Sequence, residues 1–347
     1  MPISVDACVA QHQGDRREQQ DRVAILPHPR GGGVALVVVA DGMGGHTGGV
    51  IAAQQVIHTA RTNLEGFSAR TESARHLLQS CINEAHMLIK ASRFMNEKDP
   101  HSTVVMLLLQ PGKVSWAHCG DSRVYHFRGD SLVFRSTDHS YVEQLVVQGR
   151  ITPEQAIVHP NRNILLTSLG GVDAPKIAFG EAEGLQPGDT FLLCSDGLWA
   201  YFTDQELAWV INGSASEREA SELLIGRARA MGNGDGDNIS IAILKLVEVP
   251  PAEPAAAARS VLLSSQPAKQ CRHRSERLVR VFGVAGRLHR VTVDRCGQWM
   301  RLGAFVGLAE IEAVGGDMAG TPPATRAALA IARRTSARRA FATCGRR

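Results

Sequence analysis

Between residues 1 and 249, apolar runs alternate with amphipathic stretches. Runs rich in β-branched residues at Val34–Ala40, Thr103–Leu109, Val114–His118, Arg123–Phe127, Leu132–Arg135, Thr190–Cys194 and Ile239–Val247 predict strands. Apolar positions three and four residues apart predict helices over Val50–Leu64, Ala74–Met95, around Tyr141–Gln148, and over Asp204–Ile211 and Glu217–Met231. Thr152 before Pro153 and Glu154 reads as one more helix start. In "FRGDSLVF" a Gly-Asp pair separates two alternating segments, the pattern of a hairpin. The strands between 103 and 135 are joined by turns too short for crossover helices, so much of the sheet must be antiparallel. That excludes a doubly wound nucleotide-binding fold.

The pattern stops at "VPPAEPAAAAR", Val249–Arg259. Residues 251–347 carry 17 Lys+Arg against 6 Asp+Glu, a net of +11, leaving 21 against 28, a net of −7, for residues 1–250. The Pro/Ala then Arg-rich segment 249–347 reads as a disordered tail or as a non-native extension, ahead of a second folded domain. Its basic charge suits nucleic acid, an acidic membrane or an acidic partner, with nothing to choose among them. No apolar run approaches the ~20 residues of a membrane helix. The N-terminal "MPISVDACVAQHQGDRR" lacks the order of a secretion leader, and the seven cysteines form no CxxC pair. The expectation is a reduced, cytoplasmic protein without a membrane span.

The chemistry lies in the aspartates. In "VALVVVADGMGGHTGG" a strand fit for a sheet interior ends on Asp41, and "DTFLLCSDGLW" repeats this at Asp196. "WAHCGDSRVYHF" puts Asp121 in a turn between strands, and "GNGDGDNISIAILKL" puts Asp237 at a strand start. One such residue is ordinarily a turn or a cap; four in the same context point further. If the strand ends converge, the charges raise one another's pKa unless cations intervene. Oxygen ligands without paired His or Cys suit Mg²⁺ or Mn²⁺, and a glycine carbonyl such as that of Gly42 can approach as a further ligand. Upstream, "GDRREQQDRVAI" offers Arg16 and Arg17 as forks for phosphate, with Gln20 and Asp21 able to orient metal-bound water. Read alone, that stretch is equally a charged surface loop. Cys271 and Arg277 fit the C-x5-R spacing of cysteine phosphatases, but no glycine cradle lies between them.

The ordered series R-x-x-Q-Q-D (Arg16–Asp21), "VVVADGMGGHTGG", "STVVMLLL", "WAHCGDSRVYHF", "DHSYVEQLVVQGRITPEQA", "DTFLLCSDGLW" and "GDGDNISIAIL" resembles the metal-dependent protein serine/threonine phosphatases of type 2C in their bacterial form. The resemblance spans residues 3–248. It implies a four-layer α-β-β-α sandwich with two central antiparallel sheets and a dinuclear Mn²⁺ or Mg²⁺ site at the sheet edge. By position, Asp41 would bridge both ions, Gly42 would offer its carbonyl, and Asp196 and Asp237 would complete the set. Asp121 matches a third metal site, Arg16 the phosphate-binding arginine with Arg17 as its rival, and residues 138–171 a flap bordering the site.

Three departures stand out. Gln20 replaces an acidic residue, and Met43 occupies the place of the histidine that serves animal-type members as general acid, with His46 near but not equivalent. Nothing past Val249 matches. The implied activity is hydrolysis of phosphoserine and phosphothreonine on proteins, substrates of a bacterial kinase, by a metal-bridging hydroxide and without a phosphoenzyme. Nucleic acid plays no part in that domain. The alternative is a phosphoprotein-binding scaffold of the same fold with weakened catalysis.

Overall fold

A computed structural model describes residues 3–44, 47–93, 99–248, 278–282 and 288–292. The chain divides into a unit of residues 1–257 and a second of 258–347. The first unit runs β1 (Ile3–His12), β2 (Arg22–Pro27), β3 (Ala35–Ala40), β4 (Gly42–Met43), α1 (Thr47–Gly66), α2 (Ala74–Ser92), β5 (His101–Ser102), β6 (Val104–Gln110), β7 (Lys113–Cys119), β8 (Arg123–Arg128) and β9 (Ser131–Arg135). It continues with α3 (Tyr141–Val147), α4 (Pro153–Ile157), β10 (Ala178–Glu183), β11 (Asp189–Cys194), α5 (Asp196–Trp199), α6 (Asp204–Gly213), α7 (Glu217–Gly232) and β12 (Ile239–Glu248). In the second unit the described residues form one antiparallel pair, β13 (Leu278–Phe282) with β14 (Leu288–Thr292). Most of the tail expectation, including Cys271 and Arg277, lies outside the described residues.

Two five-stranded antiparallel sheets form the centre, ordered β1-β12-β11-β8-β9 and β10-β7-β6-β3-β2. Alternation along each strand explains why the central runs are apolar on both faces. Leu36, Val38 and Ala40 of β3 pack with α1 and α2, while Val37 and Val39 face the other sheet. In β12, Ile239, Ile241 and Ile243 pack with α5, α6 and α7, while Ala242, Leu244 and Leu246 point inward. Helix, sheet, sheet and helix therefore make the four layers that the sequence implies.

Register brings one set of strand ends together. Ala40 pairs with Arg22, His12 with Ile239, Cys194 with both Ile241 and Arg123, and Val104 with Cys119. The ends of β1, β3, β7 and β11 thus meet the starts of β2, β6, β8 and β12 at one edge. The chain crosses between sheets three times at that edge, from β1 to β2, from β7 to β8 and from β9 to β10.

All seven expected strands form, within a residue or two at their ends, and so does the Gly129-Asp130 hairpin. Thr152 makes a full capping box with Gln155 at the head of α4. Six elements of the first unit go beyond the sequence reading. β1 alternates only over Ile3–Ala7 before Cys8, Val9 and Ala10 break the pattern, β10 is half Gly and Glu, β2 is short and ends on proline, β4 and β5 have two residues each, and α5 is a single turn. Helix α1 begins at Thr47, three residues before Val50, and its first turn takes in Gly48 and Gly49, poor helix formers that hide that turn from the sequence pattern. Helix α2 ends at Ser92, with residues 94–98 outside the description.

Candidate metal and phosphate site

A cleft of about 620 Å³ opens at this edge, and Arg16, Arg17, Gln20, Asp41, Gly42, Asp121, Asp196 and Asp237 all line it. Asp41 leaves β3 with its backbone fixed on both sides. Its amide donates to Thr103 Oγ1 (3.2 Å), and its carbonyl accepts from the Thr103 amide (2.8 Å) and Ser102 Oγ (3.0 Å). Thr103 Oγ1 also meets Ser122 Oγ at 2.7 Å, joining the Asp41 strand end to the turn that carries Asp121. Gly120 shapes that turn at φ +108°, where a Cβ would stand 2.7 Å from Thr103. Gly42 and Gly49 answer to close backbone approach, since a Cβ on Gly49 would lie 2.5 Å from the Gly42 carbonyl oxygen. Asp196 opens α5, and Asp237 stands one residue before Asn238 and β12.

Of the two arginines, Arg16 is bonded at the centre. Its Nε and Nη2 donate to the two Asp237 oxygens at 2.9 and 2.6 Å. Asp21 turns below the cleft floor rather than into it: Ser195 Oγ donates to its carboxylate at 2.7 Å, and Ser240 adds a second bond. Met43 lines the cleft where a proton donor stands in the animal-type pattern, and His46 lies outside the described residues.

The carboxylates are crowded. Burial, then repulsion from Asp21, Asp196, Asp121 and Asp237, pushes Asp41 well above the usual carboxylate range. Burial, then the charge of Asp196, does the same to Asp121. Asp196 rises to about 6, chiefly through burial and then Asp237, while a hydrogen bond with Asp41 works in the opposite direction. Burial lifts Asp21 to about 7 against the Ser195 bond. Arg16 engages both Asp237 oxygens, and among the described residues no three His, Cys, Asp or Glu side chains close round a single point.

This is an all-oxygen set whose negative charges exceed the cations bonded to it, which fits hard divalent ions completed by carbonyl and water oxygens. The candidate cysteines are unsuited to chemistry: Cys119 and Cys194 are buried in strands, and burial pushes the Cys119 thiol up to about 11 and Cys194 higher still.

The flap segment is rooted beside the site. Asp138 takes two bonds from Arg123 at 2.8 and 2.7 Å, the His139 amide donates to the Gly120 carbonyl (2.9 Å), and Leu169 pairs with Ser102. Arg123 lies 3.5 Å over the Trp199 ring, whose Nε1 donates to the Asp121 carbonyl at 2.9 Å. Asn163 and Leu165 bring the flap into the cleft wall. The sequence reading missed Thr103, Ser122, Trp199, Asn163 and Asn238. "STVV" and "GDSR" contained the first two as polar residues at strand ends, but their partners are far away in the chain.

An acidic cleft of oxygen donors with one arginine fork has the chemistry of a metal-dependent phosphoryl hydrolase, and known proteins show the same assignment. The protein phosphatase 2C pattern matches residues 10–223. Protein phosphatase PhpP of Streptococcus pneumoniae is 30% identical over 221 residues, covering 62% of this chain and 87% of that protein. The serine/threonine phosphatase of S. agalactiae superposes with a TM-score of 0.64 at 26% identity, covering 71% of this chain and all (100%) of the other. The catalytic domain of the phosphatase PstP, solved with 2 manganese ions, gives a TM-score of 0.60 at 26% identity over 71% of this chain and 100% of its own.

The chain belongs to the protein phosphatase 2C family. It is a protein serine/threonine phosphatase that depends on Mn²⁺ or Mg²⁺. No helix among the described residues is long and apolar enough to cross a membrane.

Proposed function

We propose that Asp41, Asp196, Asp237 and the Gly42 carbonyl hold two divalent ions, that Asp121 serves a third, and that Arg16 binds the phosphate of a phosphoserine or phosphothreonine protein. The substrates are proteins phosphorylated by a bacterial serine/threonine kinase, encountered in the cytoplasm. The ions, when bound, supply Lewis acidity toward the phosphoryl oxygens and activate water near neutral pH.

The chain's own residues supply the rest. Asp41 is the carboxylate proposed to be shared, since Asp196, Asp121 and Asp237 all press their charge on it. Arg16 presents two parallel donors to the Asp237 carboxylate, which stands in for phosphate oxygens of the same geometry. As the ester oxygen departs, that fixed positive charge offsets the negative charge on the equatorial oxygens. Gln20 keeps an oxygen and gains donors where an acid is usual, and Asp21 braces the floor through Ser195. Met43 has no proton to give, so the leaving alkoxide takes its proton from another group in the cleft, water included. Among the described residues lining the cleft there is no Ser, Cys or His, which supports direct attack by water over a phosphoenzyme on such a side chain.

The observation that carries this reading is the convergence of four aspartates, distant in sequence, at one sheet edge. Asp41→Ala and Asp237→Ala are each expected to lower Mn²⁺-dependent phosphate release from a phosphothreonine peptide by at least about a thousandfold, ~4 kcal/mol of transition-state stabilisation. Wild-type turnover in either variant, or full activity in excess chelator, would sink it.

A further inference from the structure

Arg16 sits on the loop between β1 and β2, residues 13–21, which has no regular structure of its own and exposes Gln13, Asp15, Arg16 and Arg17. A phosphate-binding guanidinium on such a loop loses freedom when it engages its anion, and that loss weakens binding unless the loop is already ordered. Several bonds order it, among them the Arg16–Asp237 fork itself and the Asp21 amide to Gln19 Oε1 at 2.9 Å. Gln13 Nε2 donates to the Arg16 carbonyl (2.7 Å), and Gln19 Nε2 to the His12 carbonyl (2.9 Å), both within the loop or at its margin. Asp15 exchanges two bonds with Gly236, at 2.9 and 2.8 Å. The anchor that reaches the most points along the loop is Asn238, only 5% exposed. Its Nδ2 donates to the carbonyls of Gln13 (2.7 Å) and Glu18 (3.0 Å), and its Oδ1 accepts from the Gln20 amide (2.7 Å).

Those three partners bracket Arg16 on both sides. A carboxamide is the side chain that meets the need, with two hydrogens for two carbonyls and one oxygen for an amide. Aspartate of the same shape has no hydrogen to offer either carbonyl. The backbone adds to the argument, because Asn238 N–H donates to Asp237 Oδ1 at 2.7 Å. One dipeptide therefore carries both the metal-site carboxylate that Arg16 faces and the clamp on the Arg16 loop.

We infer that Asn238 is a positioning residue: it pins the two arms of the 13–20 loop so that the Arg16 fork stands ready at the phosphate site. The inference rests on the phosphate role given to Arg16 above. A simple packing role would instead weaken the fold or the metal site whether or not Arg16 is present.

The test is a double-mutant cycle on the full chain at saturating Mn²⁺, reading kcat/KM for a phosphothreonine peptide. Asn238→Ala in the otherwise native chain is expected to lower kcat/KM about tenfold. In the Arg16→Ala background it is expected to lower it less than about twofold, the mark of a shared pathway. The Mn²⁺ concentration giving half activity should stay unchanged in Asn238→Ala. Equal tenfold losses in both backgrounds, or a raised Mn²⁺ requirement, would overturn the inference while leaving the Arg16 assignment intact. An Arg16→Ala chain with native kcat/KM would overturn both. Asn238→Leu, which keeps the size without donor, acceptor or added charge beside Asp237, is expected to behave as Asn238→Ala and carries the same comparison should the alanine variant not fold.

Discussion

In the glycine-rich segment after Asp41, Gly49 faces Gly42 at close quarters, although a Cβ on Gly42 or on Gly44 would meet backbone nearer still. A Cβ on Gly49 would crowd the Gly42 carbonyl, which is backbone and must shift, as well as Gln20 Oε1 at 2.7 Å, a side-chain end that can turn away. Gly49→Ala is expected to cost about 1–3 kcal/mol in chemical denaturation, the usual range for overpacking. It should also raise the Mn²⁺ needed for half activity, because the displaced carbonyl is a proposed ligand. A variant with native stability and native metal requirement would contradict the crowding argument. At this scale the four aspartates were legible because a carboxylate at the end of an apolar strand is costly without a compensating partner. Asn238 and Thr103 were not. An asparagine or threonine at a strand start is ordinary, and their importance comes from partners such as Gln13 and Ser122 that only the folded chain brings near.

Among the elements, the flap root shows how one segment is tied to the site without belonging to it. The Arg123–Asp138 pair is nearly closed to solvent, with side-chain exposures of 12% and 6%. Removing one member of such a pair strands the other. Arg123→Ala is therefore expected to destabilise by about 3–5 kcal/mol, measured by urea denaturation, and a loss below about 1 kcal/mol would place the pair with weak surface bridges. The central strands and the amphipathic helices were readable because each follows a plain period. The edge strands β1 and β10 were not, since half-exposed strands mix polar and apolar residues with no strict alternation. Convergence of the strand ends was likewise invisible, being a property of register across the sheets.

Across the whole molecule, the acidic cleft makes stability depend jointly on pH and metal. In the metal-free fold Asp21 and Asp196 hold protons up to about 7 and about 6, against a model-peptide value of 3.8. The folded state then binds more protons than the unfolded chain between roughly pH 4 and 7, so this contribution is full below that window and lost as pH rises through it. Bound Mn²⁺ requires the ionised forms and competes with protons. The gap in melting temperature between Mn²⁺-loaded and chelator-treated protein is accordingly expected to be wider at pH 7.5 than at pH 5.5, by differential scanning fluorimetry. A gap that widens on acidification would reverse the assignment.

The crossing of the chain between its two sheets has a mechanical corollary. Asp41 hangs from one sheet, whereas Asp196 and Asp237 hang from the other, so ions held by all three, as proposed above, would act as rivets against shear between the sheets. Withdrawing Mn²⁺ should quicken amide hydrogen exchange together at the ends of β3 and β11 nearest the cleft. The opposite end of β8 and β11, latched by Arg128 on Asp189 at 2.7 and 2.9 Å, should exchange at its former rate.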